Sequence, residues 1–218
     1  MTEIKVQRSA QDRNEDVAEQ NRRAFRENGV FVMNVIGSPG CGKTSILEHT
    51  AESFDGRFAV VVGDVKTALD ADRILSREIT ALPIETGGGC HLSPTMIRDV
   101  LPKLDLASLD FLFIENVGNL VCPSTVNLGE DIKIGVLSVP EGDEKVQKYP
   151  ALFLRTDVVF INKIDLLPYC DYDLERVRED CRKARPDVQV FEVSAKDGTG
   201  FDAWLEFLHH APLARRGA

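Results

Sequence analysis

The stretch "GSPGCGKT", residues 37–44, decides the fold because it matches the phosphate-loop pattern G-x-x-x-x-G-K-[ST] in the context that this pattern requires. The apolar run "VFVMNVI" (30–36) comes directly before it and is predicted to be a strand. The stretch "KTSILEHTAESF" (43–54) follows and is predicted to be a helix. A strand, a glycine-rich loop and a helix in this order favour a phosphate-binding loop over the alternative, a chance glycine-rich turn.

The chemistry of such a loop assigns roles to its residues. Glycines let backbone N–H groups close around phosphate oxygens, and the N-terminus of the following helix favours negative charge. Lys43 would neutralise the outer phosphates, and Thr44 would hold Mg²⁺. The nucleotide-binding residues predicted from this stretch are Gly37, Ser38, Pro39, Gly40, Cys41, Gly42, Lys43, Thr44 and Ser45.

Outward from this loop, short apolar runs alternate with helical patterns. The predicted strands cover residues 30–36, 57–64, 82–86, 109–116, 132–140, 157–163 and 188–196. The predicted helices after the loop cover residues 43–54, 70–79, 93–101, 171–186 and 200–210. The strands are apolar without alternation, which is typical of strands buried on both faces of a parallel sheet. The pattern therefore predicts an α/β fold with a doubly wound, mostly parallel sheet.

The chain is predicted to have three parts. Residues 1–29 are polar and end in Asn28-Gly29, a helix-stop signal, and are predicted to form an N-terminal helical arm. Residues 30–210 are predicted to form the nucleotide-binding domain, and residues 211–218 a C-terminal tail. A length of 218 residues fits one domain with an appended arm.

Composition narrows the classes of function. Apolar residues make up 43% of the chain and charged residues 28%, and the formal net charge of −9 argues against general nucleic-acid binding. No apolar run approaches the ~20 residues of a membrane-spanning helix, and the polar start does not resemble a secretory signal. We therefore expect a cytoplasmic protein without a membrane or nucleic-acid partner. Its five cysteines are expected to be reduced thiols or metal ligands.

The stretch "INKID" (161–165) indicates which base is bound. Asn162, Lys163 and Asp165 spell N-K-x-D, and an aspartate here can accept hydrogen bonds from the N1–H and N2 amino groups of guanine. Adenine lacks these donors and would leave the carboxylate unpaired. "SAK" (194–196) follows the next strand, and its residues Ser194, Ala195 and Lys196 could complete the pocket. Alone this motif could be a polar turn, but after a phosphate loop it predicts binding of GTP and GDP.

Carboxylates after the second and fourth predicted strands are candidates for Mg²⁺ binding and hydrolysis. "FIENVGN" supplies Glu115 and Gly118, an E-x-x-G where Ras-like GTPases have D-x-x-G. "GDVKTALDADR" supplies Asp64 and Asp70, either of which could bind Mg²⁺ or position water, although Asp70 could equally be a helix cap. With Lys43, these three acidic residues form the predicted catalytic set. A Ras-type glutamine does not follow Gly118, so slow intrinsic hydrolysis is expected.

The stretch "IETGGGCHL" (84–92) brings Cys90 and His91 side by side, and Cys122 follows another strand. All three come after carboxyl ends of predicted parallel strands, at the sheet edge where the phosphate loop lies. Two thiolates and an imidazole suit Ni²⁺ or Zn²⁺. The alternative is two buried cysteines and a surface histidine, and spacing alone does not decide between them. Three ligands leave a tetrahedral site open, which a site shared across a two-fold axis would complete.

These motifs together resemble the hydrogenase nickel-incorporation GTPases, the HypB family. The resemblance covers about residues 30–208 and rests on "GSPGCGKT", "GDVKTALDADR", "ETGGGCHL", "ENVGNLVCP", "EGDEKVQKYP", "NKIDLLPY" and "SAKDGTG", in that order. The elements "CHL" and "ENVGNLVCP" are the specific ones. The resemblance implies a SIMIBI-like P-loop GTPase that acts as a metallochaperone and helps to load nickel into the large subunit of [NiFe]-hydrogenase.

The resemblance also implies partners and ligands. It implies a GTP-favoured homodimer that works with the hydrogenase large subunit and other maturation proteins. The interfacial Ni²⁺ or Zn²⁺ ligands would be Cys90, His91 and Cys122, and Mg²⁺ would be bound by Thr44 with Asp70 and Glu115. Lys148 resembles a family lysine that reaches the partner's nucleotide.

Three alternatives stay open. The first is a urease- or cobalamin-enzyme maturation GTPase, the second a GTP switch without metal cargo, and the third a P-loop kinase, against which N-K-x-D argues.

Overall fold

A seven-stranded, entirely parallel sheet forms the centre of the computed structural model, which describes residues 10–63 and 80–216. The strands are β1 (Phe31–Gly37), β2 (Phe58–Gly63), β3 (Thr80–Ile84), β4 (Phe111–Glu115), β5 (Ile132–Ser138), β6 (Val158–Asn162) and β7 (Gln189–Val193). Their order in the sheet is β3-β2-β4-β1-β5-β6-β7. The predicted α/β class with a parallel sheet is confirmed.

Helices flank this sheet. They are α1 (Ala10–Glu27), α2 (Lys43–Ser53), α3 (Pro94–Val100), α4 (Lys145–Lys148), α5 (Pro150–Phe153), α6 (Leu174–Ala184) and α7 (Phe201–Arg216). Short 3-10 turns connect several of them, including Cys122–Thr125 and Ile164–Tyr169. Among the described residues, no helix is long and apolar enough to cross a membrane.

Local signals explain where two of the helices begin. Ser93 caps α3 by accepting a hydrogen bond from the Met96 N–H at 3.2 Å, and Pro94 occupies the first turn. Asp173 caps α6 in the same way through the Arg176 N–H, at 3.0 Å. The predicted helix over 70–79 lies outside the described residues. The two four-residue helices α4 and α5 were not predicted, because one turn is too short to show a 3.6-residue period.

The observed β3 differs from the predicted strand over 82–86. Thr80 and Ala81 already pair with Ala59 and Val60 of β2, and the strand ends at Ile84. A turn with positive φ at Gly87 (61°) and Gly88 (89°) follows shortly after, and no regular strand can continue through it.

The core has two faces. On one face, Trp204 of α7 is fully buried and donates a hydrogen bond from Nε1 to Thr50 Oγ1 of α2 at 3.0 Å. On the other face, Phe25 of α1 and Ile97 of α3 are fully buried among residues of β1, β2 and β4. The N-terminal helix therefore packs on the sheet through its C-terminal part, which contains the buried residues Ala18, Asn21 and Phe25. The division of the chain at residues 29 and 30 stays a prediction.

Candidate functional site

The phosphate loop lies at the carboxyl end of β1, between the two strands that flank it. Strands β2, β3 and β4 lie on one side of β1, and strands β5, β6 and β7 lie on the other. The direction in which the chain adds strands to the sheet therefore reverses at β1. In doubly wound sheets this point is the usual ligand crevice. Gly42 precedes α2 in a left-handed conformation with φ of 100°, and in this described part of the chain no side chain caps the helix there. The first N–H groups of α2 are thus left to a ligand such as phosphate.

Close packing demands the glycine at this position. A Cβ atom on Gly42 would lie 2.2 Å from Nδ2 of Asn162. Lys43 follows and is mostly buried, with Nζ donating to the carbonyl oxygens of Gly37 and Ser38 at 3.3 Å each. Its ammonium group is therefore already held over the loop that would bind the phosphates.

A hydroxyl and a carboxylate meet beside the phosphate loop. Thr44 Oγ1 donates to Glu115 Oε1 at 2.7 Å. Glu115 is 6% exposed and ends β4, opposite Val35 of β1. Both groups are oxygen donors, the kind that Mg²⁺ takes together with substrate phosphates, so the pair fits this metal. Asp64 and Asp70, predicted for the same role, lie outside the described residues.

A cavity of about 310 Å³ opens next to the phosphate loop. Its lining residues are Gly42, Ser45, Asn162, Lys163, Asp165, Leu166, Ala195 and Lys196. Asn162 joins three segments around it: Nδ2 donates to the Cys41 carbonyl oxygen at 2.9 Å, and Oδ1 accepts from the N–H groups of Lys163 (2.8 Å) and Ala195 (3.2 Å). The structure therefore brings the N-K-x-D and S-A-K stretches together at one cavity.

The other two residues of N-K-x-D take distinct positions. Lys163 has φ of 62°, the one positive value among the described residues other than glycine, and Nζ donates to the Gly40 carbonyl oxygen at 2.6 Å. Its aliphatic stem thus crosses the mouth of the cavity. Asp165 Oδ1 accepts from Ser194 Oγ at 3.0 Å, and Oδ2 lies 3.9 Å from Lys196 Nζ. An oriented carboxylate at the cavity wall can accept the paired N–H donors of a guanine.

Three residues predicted to contact the nucleotide do not line the cavity. Lys148 lies on α4, outside the cavity lining, and pairs with Glu144 at 2.6 Å, which raises its pKa. The Cys41 thiol is fully buried, and burial raises its pKa to about 11, so only its backbone faces the ligand side. Gly118 packs against the phosphate loop, since a Cβ atom there would lie 2.9 Å from Pro39 Cγ.

The predicted soft ligands converge at the same sheet edge. The ligand atoms of Cys90, His91 and Cys122 all lie within 4.8 Å of one another, and Cys90 Sγ is 3.4 Å from His91 Nδ1. A hydrogen bond with Cys122 is the main cause of a raised pKa at the Cys90 thiol. The fold thus brings the ligand atoms of two adjacent residues and of Cys122 to one point.

This triad has the chemistry of an exchangeable metal site. Its donors are two sulfur atoms and one imidazole nitrogen, a set suited to Ni²⁺ or Zn²⁺. Cys90 is exposed, and His91 and Cys122 are half-buried. Three donors at an accessible position would leave one tetrahedral position of a bound ion open, whereas a closed four-ligand site would retain its ion.

Two asparagines that hold this site in place were not predicted from the sequence. Asn116 is 1% exposed, and its Oδ1 accepts from the Leu92 N–H at 3.0 Å. Asn119 Nδ2 donates to the Cys90 carbonyl oxygen at 3.3 Å. The signal was present in "ENVGN", where polar residues follow directly on a buried strand, but only Glu115 and Gly118 match a known GTPase pattern.

The chain is similar over most of its length to proteins of known family. A family model described as "CobW/HypB/UreG, nucleotide-binding domain" matches residues 31–192. Hydrogenase maturation factor HypB of Escherichia coli (strain K12) is 42% identical over 207 residues, which cover 94% of this chain and 71% of that protein. Hydrogenase/urease maturation factor HypB of Helicobacter pylori is 40% identical over 210 residues, with 94% and 87% covered.

A solved structure is similar throughout the fold. The crystal structure of HypB from Helicobacter pylori in complex with nickel superposes with a TM-score of 0.88 at 40% sequence identity. The match covers 93% of this chain and 96% of that one.

Proposed function

The chain belongs to the HypB family of hydrogenase maturation factors, and from this premise we propose that it is a GTP-hydrolysing nickel metallochaperone serving the large subunit of [NiFe]-hydrogenase. One observation carries the proposal: Cys90, His91 and Cys122 converge within 4.8 Å. Cys122 lies on the same short segment as Glu115, which contacts the phosphate-loop threonine. A cargo site and a nucleotide site joined by so few residues suit a protein that releases metal under nucleotide control.

GTP is the proposed nucleotide. Asp165 would accept from the guanine, Lys163 would cover its face, and the phosphate-loop amides with Lys43 would bind the phosphates. When bound beside Thr44 and Glu115, Mg²⁺ would neutralise negative charge on the phosphates. Asp64 and Asp70 remain proposed for the same shell or for orienting the attacking water. Turnover is proposed to be slow, in keeping with a switch.

The metal site is proposed to be completed by a second copy of the chain. Three protein ligands leave one tetrahedral position open, and Val121, next to Cys122, is 61% exposed. A two-fold pairing here would cover Val121 and place two triads face to face. Lys148, whose side chain is 62% exposed, is proposed to reach the nucleotide of the partner in such a dimer.

The mechanism rests on a difference in nickel affinity between the GTP and GDP states, because a nucleotide that bound both forms of the site equally could not drive release. GTP would favour the dimer and the assembled triad. Hydrolysis removes the γ-phosphate, relaxes the segment after Glu115 and opens the triad, so that nickel passes to the acceptor protein.

The test follows nickel release during one turnover. The GTP-bound protein is loaded with one Ni²⁺ per dimer, hydrolysis is started with Mg²⁺, and a chromogenic chelator reports released nickel. The proposal expects release at the rate of phosphate production and little release with a non-hydrolysable GTP analogue. Equal release with both nucleotides would contradict it. Cys122→Ala serves as the control that identifies nickel bound outside the triad.

A second acceptor is favoured by one comparison. The similar protein of Helicobacter pylori is a hydrogenase/urease maturation factor, so apo-urease is a candidate acceptor here as well. Nickel transfer to purified apo-urease and to the hydrogenase large subunit, measured side by side, distinguishes the two.

A further inference from the structure

The segment from Glu115 to Cys122 faces two sites in turn. Glu115 contacts Thr44, and Gly118 packs on Pro39, so these residues face the phosphate loop. Asn116, Asn119 and Cys122 face the loop that carries Cys90 and His91. This short segment therefore makes direct contacts with both sites.

Of the two asparagines, Asn119 is the one that contacts a residue of the triad itself. Its Nδ2 donates to the carbonyl oxygen of Cys90 at 3.3 Å, and its Oδ1 accepts from the Val121 N–H at 2.8 Å. One amide side chain therefore joins the backbone of the first thiol ligand to the backbone just before the second. The two segments that carry the thiols are thus linked directly through this side chain.

Asn116 provides a fixed base for the same arrangement. Its Oδ1 accepts from the Leu92 and Val117 N–H groups at 3.0 Å each, and its Nδ2 donates to Asn34 Oδ1 of β1 at 3.1 Å. It is buried, and its hydrogen bonds fix the end of the Cys90–His91 loop to the sheet. Asn119, by contrast, is half-buried and comes directly after Gly118 in the chain.

From these contacts we infer that Asn119 is a positioning residue for nickel, and that it transmits the nucleotide state from Gly118 to the Cys90 side of the triad. The inference rests on the proposed function, since it requires the triad to bind the metal. When the phosphate side moves Gly118, the Asn119 amide moves with it and changes the separation of the two thiols. Asn119 is not one of the three triad residues and does not line the base cavity, so it would act through the backbone of the ligand residues that it contacts.

A serine at this position isolates the connection. Asn119→Ser keeps an oxygen that can accept from the Val121 N–H, but the shorter side chain cannot reach the Cys90 carbonyl. The matched control is Asn127→Ser. Asn127 makes the same kind of turn, accepting from the Gly129 N–H at 3.0 Å, while its Nδ2 donates to Glu15 of α1 instead of to a ligand residue. Its Oδ1 also accepts from Nη2 of Arg22 on α1 at 3.0 Å, so its remaining contacts lie away from the triad.

Nickel dissociation constants of the wild type and both variants are measured with GDP and with a non-hydrolysable GTP analogue, using thiolate-to-nickel absorption. For Asn119→Ser we expect roughly 10-fold weaker nickel binding, a typical effect of losing a contact that orients a ligand. The ratio of the two nickel constants should also move towards one, with nucleotide affinity unchanged. Asn127→Ser should match the wild type throughout.

The outcomes separate the inference from the function beneath it. If Asn119→Ser keeps the wild-type ratio, the inference is wrong even when nickel binds more weakly, because a purely structural defect lowers affinity equally in both states. If Asn119→Ser behaves like Asn127→Ser, it is wrong as well. If the wild type itself binds no nickel, the proposed function fails and the inference fails with it.

Discussion

At the residue scale, Asp165 and Cys122 belong to two separate sets of side chains, one proposed to bind the nucleotide and the other the metal. The carboxylate of Asp165 lies in the wall of the base cavity and accepts a hydrogen bond from Ser194. The thiol of Cys122 lies in the metal triad. Among the described residues, these two side chains share no hydrogen bond or ion pair. A substitution at either one should therefore weaken binding of one ligand and spare the other.

Asp165→Asn should weaken GTP binding by roughly 100-fold or more, because the amide presents N–H donors to the donors of guanine and leaves them unpaired. The same amide can donate to the 2-carbonyl oxygen of xanthine, so binding of xanthosine triphosphate should improve. Fluorescent nucleotide titration measures both affinities. Asp202→Asn, at an exposed position of α7, is the matched control. Unchanged GTP affinity would show that this cavity does not bind the base.

Cys122→Ala should abolish tight nickel binding and leave GTP affinity within about two-fold, because it removes one of three soft ligands and contacts no nucleotide residue. Equilibrium dialysis with Ni²⁺, with and without nucleotide, provides the measurement. Cys170→Ala removes a thiol outside the triad and should bind nickel normally. Should the two variants bind nickel alike, the triad is not the cargo site.

At this scale the sequence predicted residue roles where the spacing of a motif is typical of one kind of chemistry. The phosphate loop and N-K-x-D lead directly to Lys43 and Asp165. The triad was undecided from spacing, because sequence alone does not show that the fold brings Cys122 to the adjacent pair Cys90 and His91. Asn119 was missed because its amide acts on backbone groups brought near only by the fold.

At the scale of elements, a buried amide on α1 adds polar contacts to the apolar packing of this helix. Asn21 is 1% exposed, and its Nδ2 donates to the Pro94 carbonyl oxygen at 2.9 Å and to the Leu128 carbonyl oxygen at 3.0 Å. It thereby joins α1 to the start of α3 and to the loop before β5. The polar composition of the segment predicted a helix but not this packing, because its apolar face is narrow and includes a buried asparagine.

Asn21→Leu should lower the free energy of unfolding by about 1–3 kcal/mol, the usual cost of leaving buried carbonyl groups without a donor. Urea denaturation followed by circular dichroism measures the change. Asn14→Ala, on the exposed side of α1, should change stability by less than about 0.5 kcal/mol. Equal stabilities of the two variants would mean that α1 contributes little through this amide.

The strands were the elements best predicted from the sequence. Apolar runs without alternating polar residues predicted a parallel sheet buried on both faces. All six observed strand pairs are parallel. The order of the strands was not predicted, since hydrophobic pattern says nothing about which strand lies beside which. That order matters for function, because it places the end of β4 with Glu115 next to the end of β1 with the phosphate loop.

At the scale of the whole molecule, a base cavity, a phosphate loop and a soft-metal triad share one edge of the sheet. Eight residues, from Glu115 to Cys122, connect the nucleotide side with the triad. A protein that only bound GTP would not need the triad, and a protein that only stored metal would not need the cavity. The presence of both the cavity and the triad is explained if the bound nucleotide sets the affinity of the triad for metal.

The most direct test of this claim is a Ni²⁺ titration followed by thiolate-to-nickel absorption, carried out with GDP and with a non-hydrolysable GTP analogue. Molecular mass is followed by light scattering in the same samples. We expect a thiolate band that saturates at one ion per dimer, an affinity that differs between the two nucleotides, and a larger dimer fraction with the GTP analogue. Absence of a thiolate band in both states, or equal affinities in both, would contradict the account.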